Sequence, residues 1–413
     1  MANPRVHYAW FIMAAGAAIY AASVGIIVSS ASILYRAVAK DFGVGLSSIS
    51  LYTTIMYLVI TVLLPFAGKI LQRFDARFVL AIAGVLDAGA FALMGTYHTA
   101  FPFYLSGVVL GVASTFLIYG TIPLVMNNWF KTRIGLSLGI AMAFMGIGGV
   151  IFSQVTGHLI GSIGWRMTYV TLGIIVAVLT IPVSLLVMRA KPEDKGLQPY
   201  GIETVDANAP VVAVVETGVM RAQAKNSPAF YLVIIFTGLL GLAATVSFHI
   251  PNFAQSIGFS ATVAATGVTC VTIGQTGGKF LLGAVNDKFG VRAALITGIG
   301  GGLIGVIILL SAQSTGLAGV YVGALLFGIG FSGSTLLPPV VIREVFGGRD
   351  YASIYTTIMS ASTLGLAFGT TIFSVIYDRS GSYYLVFIVE IILFAIVALS
   401  SLVSLRWKKI LNV

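Results

Sequence analysis

Lys279 lies inside the apolar run that closes with Thr276-Gly-Gly-Lys279-Phe-Leu-Leu-Gly283-Ala-Val-Asn-Asp287-Lys288-Phe-Gly290-Val-Arg292. No acidic residue stands within seven positions of it on either side. A lysine in hydrocarbon costs roughly 2.5–3.5 kcal/mol on insertion scales, so it needs a counter-charge, a ligand or a route to the surface. Its chemistry is that of a compact cation with three donors, which suits an anion. The competing reading is snorkelling. Asp287 is eight residues further on, about 12 Å of helix, and the long stem could carry the ammonium to the membrane surface. Gly277 and Gly278 precede the lysine and leave room for a close approach of backbone or ligand.

Several other residues could work beside it. Gln275 is one helical turn from Lys279, on the same face, able to donate to a substrate or to orient the lysine. Tyr119 has a hydroxyl that can donate to a carboxylate oxygen while its ring packs on an apolar acid. His249 precedes Pro251 and Asn252, where an imidazole can bond a substrate, relay a proton or serve the structure alone. Phe331, Met145, Phe144 and Tyr355 could wall a short acyl chain; core or lipid packing is their commoner fate. Asp87 and Glu390 are the acids deep in apolar runs, and intramembrane acids are functional candidates by default. Asp87 therefore joins Lys279 and His249 as a proton-coupling candidate. No metal-ligand cluster, phosphate-binding loop or Ser-His-Asp set is visible, so no enzyme, cofactor or metal is expected.

These residues sit in a chain of 413 that is 58% hydrophobic and 9% charged, with a mean hydropathy of +1.01. Soluble chains run about 25% charged, so this one belongs in a bilayer. Its apolar runs are helix-length, long enough to cross about 30 Å of hydrocarbon, and lack the short alternating segments of a barrel. Twelve spans are read at 8–35, 46–68, 78–97, 101–129, 134–161, 165–188, 229–256, 261–285, 293–312, 316–342, 350–376 and 383–405. Residues 1–7 are too short for a cleaved leader, and His7 to Leu34 reads as the first span. The one cysteine, Cys270, excludes an internal disulfide. The stretch 189–228 is polar, holds Pro192, Pro199 and Pro210, and reads as a linker between a 1–188 bundle and a 229–413 bundle.

The net charge of +10 is explained by sidedness rather than by nucleic acid. With the N-terminus inside, 18 of the 23 Lys and Arg residues fall on the cytoplasmic side, Arg5, Lys408 and Lys409 among them. Four fall on the other side: Arg36, Lys40, Arg166 and Arg379. This bias places both termini in the cytoplasm of a multi-pass inner-membrane protein.

The halves repeat one another. Gly68-Lys-Ile-Leu-Gln-Arg73-Phe-Asp-Ala-Arg77 after span 2 matches Gly283-Ala-Val-Asn-Asp287-Lys288-Phe-Gly290-Val-Arg292 after span 8, at an offset of 215. Phe130-Lys-Thr-Arg133 after span 4 matches Phe346-Gly-Gly-Arg349 after span 10, at an offset of 216. Two matches at nearly one offset imply an all-α membrane protein of two pseudo-symmetric six-helix bundles with a midplane site.

The pattern Gly283-x-x-x-Asp287-Lys288-x-Gly290-x-Arg292 resembles the signature of the major facilitator superfamily. The copy at Gly68 departs from it, with Gln72 for the acid and Asp75 for the later glycine. The acid and bases of such loops can form a gating ion-pair cluster. Tyr119-Gly-Thr-Ile-Pro-Leu-Val-Met-Asn-Asn-Trp129-Phe130-Lys-Thr-Arg133-x-Gly135-Leu-Ser-x-Gly139-Ile is similar to the span 4–5 segment of monocarboxylate transporters and oxalate/formate antiporters, and Gly164-Trp165-Arg166 is similar too. In both groups a span 8 cation, four positions before the signature glycine, binds the substrate carboxylate; the matching position is Lys279, where arginine is usual. The oxalate-type antiporter has a second lysine on span 11, where Ile358 stands here.

The resemblance therefore implies a secondary transporter of small monocarboxylates such as lactate or pyruvate, coupled to a proton, working by alternating access and expected to be monomeric. An oxalate/formate-type antiporter is the nearest rival. A non-transporting membrane sensor on the same scaffold is the rival of another class.

Overall fold

The computed structural model describes residues 7–202 and 217–407. Arg5, Lys408, Lys409 and Pro210 lie outside the described residues. Within them the chain is helical, with two isolated β-bridges and no strand. Ten stretches are long and apolar enough to cross a membrane. One of these, Ile134–Leu186, runs for 53 residues and divides at Gly164, whose backbone (φ 77°, ψ 163°) is non-helical. A residue with a Cβ would be strained there, so the glycine before Trp165 and Arg166 sets the boundary between spans 5 and 6. The helix Ala261–Phe289 is 29 residues long but is not among the ten. It is span 8, and Gln275, Lys279 and its run of Gly and Thr dilute its apolar character. With the long helix counted twice and span 8 added, the twelve spans are all present.

Edges move where capping decides. Span 1 continues to Phe42, past the expected 35, and stops at Gly43 in the left-handed region (φ 64°), a usual helix stop. Two membrane helices carry π-helical turns: Ser23–Ser29 in span 1 and Thr115–Gly120 in span 4. Span 7 changes form at Thr245–Phe248, a 3-10 turn between Pro228–Ala244 and Ile250–Ser256. Breaks of this kind often mark functional stretches.

The chain divides into two compact units, Met1–Val215 and Glu216–Val413. In the first, spans 1 and 5 approach closely enough that a Cβ on Gly148 would lie 2.5 Å from the Ala21 carbonyl. In the second, spans 7 and 11 do the same: a Cβ on Gly365 would lie 2.3 Å from the Gly238 carbonyl. Spans 2 and 4 meet through Gly107 and Gly111, as spans 8 and 10 meet through Gly274 and Gly328. Each unit therefore repeats one packing scheme, with small residues at the contacts, as helix association in lipid favours.

The expected linker is built into both units. In the first unit the Tyr200 N–H donates to the Trp129 carbonyl at 2.8 Å and the Lys131 N–H donates to the Tyr200 carbonyl at 2.9 Å. In the second, the Val219 N–H donates to the Phe346 carbonyl at 3.0 Å and the Gly348 N–H to the Thr217 carbonyl at 2.8 Å. Phe130 and Phe346 are the residues that match at offset 216, so the two bridges grip equivalent loops.

Candidate functional site

Lys279 lies ten residues before the end of span 8 at Phe289, about 15 Å along the helix axis. It is 1% exposed and ranks among the largest fully buried side chains. A snorkelling lysine would show its ammonium at the surface; this one does not. Its preceding residue, Gly278, faces Ser332 and Ile329 of span 10, with the Ser332 hydroxyl 2.6 Å from where a Cβ would be. One turn earlier the half-buried Gln275 sits beside Gly328. Span 8 and span 10 thus bring Lys279, Gln275 and the stretch containing the half-buried Phe331 into one region of the second unit.

The remaining candidates lie elsewhere. Tyr355 is buried near the start of span 11, stacked on Tyr351 at 5.5 Å, and the Tyr351 hydroxyl donates to the Pro339 carbonyl. His249 packs against Phe373, toward the other end of the same helix. The 18 residues from Tyr355 to Phe373 span about 27 Å of continuous helix, so one short acid cannot touch both. The set read together from sequence is therefore several separate places. In the first unit Tyr119 lies in the π-helical turn of span 4, half-buried, with Tyr20 and Tyr57 as neighbouring phenols. Met145 is buried in span 5, while Phe144 is exposed.

Asp87 is wholly buried in span 3. The Ser23 hydroxyl, at the start of the span 1 π-turn, is its polar neighbour. Neither the Ser23 hydroxyl nor either carboxylate oxygen has a hydrogen-bond partner among the described residues. Glu390 in span 12 is buried in the same condition.

The signature loops differ in how they turn. After span 8, Gly290 (φ 82°) ends one helix and begins the next, Asp287 accepts from the Asn286 amide at 3.2 Å, and Lys288 lies over the Phe289 ring. Gly283 is buried and Arg292 exposed. After span 2, Gly68 is buried and Arg73 ends the helix. Asp75 then takes the place of the glycine as an N-cap: it accepts from the Arg77 N–H at 2.9 Å and from the Arg77 guanidinium at 2.6 and 2.8 Å. These Arg77 hydrogen bonds hold the Asp75 carboxyl below the usual carboxylate range. The departure from the signature is a working substitution.

Arg166, beside the Gly164 break, stacks on Trp165 at 4.3 Å, donates to the Tyr97 carbonyl at 2.7 Å and reaches Asp41 at 3.2 Å. It ties the loop between spans 5 and 6 to the two neighbouring loops at that end of the first unit.

One group was not anticipated. His249, Asn252, Ser374, Tyr377, Asp378 and Tyr383 line a cavity of about 330 Å³ at the end of the second unit remote from the linker. His249 was picked out; its company was not, because Tyr377 and Asp378 lie 125 residues or more further along the chain. A Tyr-Asp pair closing an otherwise apolar span was the available signal.

The Major Facilitator Superfamily profile matches residues 13–268 and 244–409. Over 304 residues the chain is 26% identical to the uncharacterized MFS-type transporter YhjX of Escherichia coli, covering 72% of this chain and 71% of that one. Over 353 residues it is 22% identical to the oxalate:formate antiporter of Oxalobacter formigenes, covering 82% and 79%. Human monocarboxylate transporter 11 is 20% identical over 388 residues, covering 92% and 79%. Among solved structures, the E. coli fucose:proton symporter FucP superposes with a TM-score of 0.67 at 14% identity, covering 96% and 98%. The proton:xylose symporter XylE gives 0.69 at 14%, covering 97% and 96%. Two units of like packing, membrane-crossing helices throughout and a profile match along nearly the whole chain converge: this is an integral multi-pass membrane transporter, not an enzyme, and it belongs to the Major Facilitator Superfamily.

Proposed function

We propose that the protein is a secondary transporter of small monocarboxylates of the lactate and pyruvate type, with Lys279 as the carboxylate partner. The observation that carries this reading is the burial of Lys279 within span 8, the helix whose polarity sets it apart from the other long helices. A buried ammonium and an incoming carboxylate each lose water, and their mutual attraction offsets part of that cost. Gln275 supplies a second donor from the same face.

Charge count favours a monoanion. Span 11 holds no Lys or Arg between Tyr351 and Ile376, and Ile358, at the place of the antiporter's second cation, is fully buried. One membrane cation matches one carboxylate; oxalate would bring two. Proton symport is the coupling that fits a site centred on one lysine: the lysine stays behind, and the anion carried with one proton crosses as a neutral acid equivalent. The relatives named as oxalate:formate antiporter and monocarboxylate transporter support a carboxylate as the substrate class.

The test is uptake of labelled lactate, pyruvate, formate and oxalate into proteoliposomes under an imposed proton gradient. Gradient-driven uptake of a monocarboxylate supports the proposal. Uptake that requires an internal counter-anion would make the protein an exchanger. Movement of none of the four acids would overturn the carboxylate reading.

A further inference from the structure

The face of span 8 that carries Lys279 is not covered evenly. Toward the signature loop it is buried, at Leu282, Gly283 and Asn286. In the other direction it opens: Thr276, Gln275 and Thr272 are half-buried and Val268 is exposed. Side chains of a helix lean toward its N-terminus, so the long stem of Lys279 lies over the turn that holds Gln275 and Thr276. Three polar groups therefore meet at one level, near the middle of a 29-residue helix.

Thr276 stands out among the threonines of the membrane helices. A threonine inside a helix commonly returns its hydroxyl to the carbonyl four residues back. Thr115, Thr156, Thr180 and Thr356 do so at 2.6–2.8 Å. Thr272, one turn before Thr276 on the same helix, donates to the Val268 carbonyl at 3.0 Å. Neither the Thr276 hydroxyl nor the Gln275 amide makes a hydrogen bond among the described residues. Thr276 lies 15 residues from Ala261 and 13 from Phe289, about 20 Å from either end of the helix. Hydrocarbon offers a hydroxyl no partner at that depth, and polar side chains in a span turn to the bundle interior or to water-filled space. Gly277, next in the chain, is exposed and has nothing within 4 Å of where a Cβ would stand. That leaves room for a ligand beside Thr276.

We propose that the Thr276 hydroxyl is a specificity-determining contact, binding the oxygen on C2 of a 2-oxy acid whose carboxylate is held by Lys279 and Gln275. The proposal rests on the carboxylate reading and narrows it to 2-hydroxy and 2-keto acids. In such an acid the C2 oxygen stands one carbon from the carboxylate, so a ligand seated on one helical turn presents both. A threonine hydroxyl donates and accepts. It gives its proton to the keto oxygen of pyruvate, and it can give or take one with the hydroxyl of lactate. Propionate has the same three carbons and no C2 oxygen. It leaves the Thr276 hydroxyl unpaired in a site closed to water, which is how a hydrogen-bonding site rejects an analogue that lacks the group.

The experiment measures initial-rate uptake of labelled lactate, pyruvate and propionate into proteoliposomes, with the full-length wild type, Thr276→Val and Thr276→Ser. Valine has the shape of threonine without the hydroxyl; serine keeps the hydroxyl. The wild type should favour lactate and pyruvate over propionate by about tenfold in kcat/KM, the effect of one hydrogen bond and its unpaired donor. Thr276→Val should erase that preference by weakening lactate and pyruvate, while propionate holds within about twofold because it never met the hydroxyl. Unchanged propionate uptake also shows that the variant is folded. Thr276→Ser should retain the preference. A wild type that carries propionate as well as lactate overturns the proposal, as does a Thr276→Val protein that keeps the preference or loses all three acids alike. Those outcomes leave a carboxylate at Lys279 standing. A wild type that moves none of the three acids fails the carboxylate reading itself, and this proposal with it.

Discussion

Replacing Lys279 by methionine separates a ligand-binding lysine from a structural one, because the two readings predict opposite behaviour of binding and stability. The side chain is 1% exposed, so solvent does little to screen its charge. Removing one member of a buried, hydrogen-bonded charge pair costs about 2–5 kcal/mol of binding, which at 1.4 kcal/mol per decade is roughly a 30- to 4000-fold loss of affinity. Methionine has a similar volume and no charge, so the variant keeps the packing and is relieved of the cost of holding an ammonium out of water. The substrate-free variant should therefore melt close to the wild-type temperature. A monocarboxylate at 100 times its Kd stabilises the wild type by about 2.7 kcal/mol; the same concentration acting on a 30-fold weaker site gives about 0.9 kcal/mol. For units of about 200 residues that is a ligand-induced rise of roughly 5–10 °C falling to about 2–3 °C or less. The assays are thermal unfolding by intrinsic fluorescence with and without substrate, and uptake in liposomes. Lys279→Arg keeps the charge and should hold uptake within about tenfold, the bidentate fork compensating for the added bulk. The reasoning is refuted if Lys279→Met transports as well as wild type. It is refuted equally if melting temperature and uptake fall together, since that is the signature of a lysine that holds the fold.

Three further outcomes follow from the packing and the loops. Gly148→Val pushes a side chain into the Ala21 carbonyl and should cost about 1–3 kcal/mol, whereas Gly157→Ala, with nothing within 4 Å of its Cβ position, should leave the melting temperature unchanged; equal effects would remove the close approach of spans 1 and 5 as an explanation. Arg166→Lys cannot stack on Trp165 while reaching both Tyr97 and Asp41, so a loss of about 1–2 kcal/mol is expected in thermal unfolding. Asp75→Ala removes a helix cap at about 1 kcal/mol, while Asp75→Asn keeps the cap and loses the ion pair. Because Arg77 lowers the Asp75 carboxyl, the pair's contribution is present at neutral pH and is lost as pH falls through the lowered value, below about pH 4; the difference between wild type and Asp75→Asn should vanish there.

The fold was legible because a bilayer leaves few options. Helix-length apolar runs and a repeated loop at offsets of 215 and 216 are enough to give two bundles, since the backbone in lipid must satisfy itself within helices. What periodicity missed was local and came from single residues. Gly43 let span 1 run on to Phe42, and the π-turns at Ser23–Ser29 and Thr115–Gly120 leave no mark on hydropathy. The linker read as a polar spacer, yet Tyr200 and Gly218 each add a backbone bridge to a loop. Such pairing depends on which carbonyls a loop leaves open, and residue type says little about that.

The candidate site was legible one residue at a time and illegible as a constellation. Lys279 announces itself because a charge in an apolar helix has a free-energy cost that must be met. Gln275 follows from it by helical spacing alone. His249 and Tyr355 carry no such geometric tie, and the structure sets them toward opposite ends of span 11. Sequence can say that a residue type is unusual for its surroundings; it cannot say what stands across from it. The two signature loops make the same point from the other side. Judged by pattern, Asp75 is an error in a copy whose partner has Gly290. Judged by chemistry, both solve one problem, the sharp entry into a new helix: Gly290 with a backbone conformation other residues avoid, Asp75 with a side chain that caps the helix and binds Arg77. An aspartate there costs no left-handed backbone and adds a charge pair, so divergence of the two halves at this turn exchanges a conformational solution for an electrostatic one. On that account Asp75→Gly should be tolerated in the fold and should lose the Arg77 pairing, leaving the arginine free in a loop where its counterpart Arg292 is already exposed.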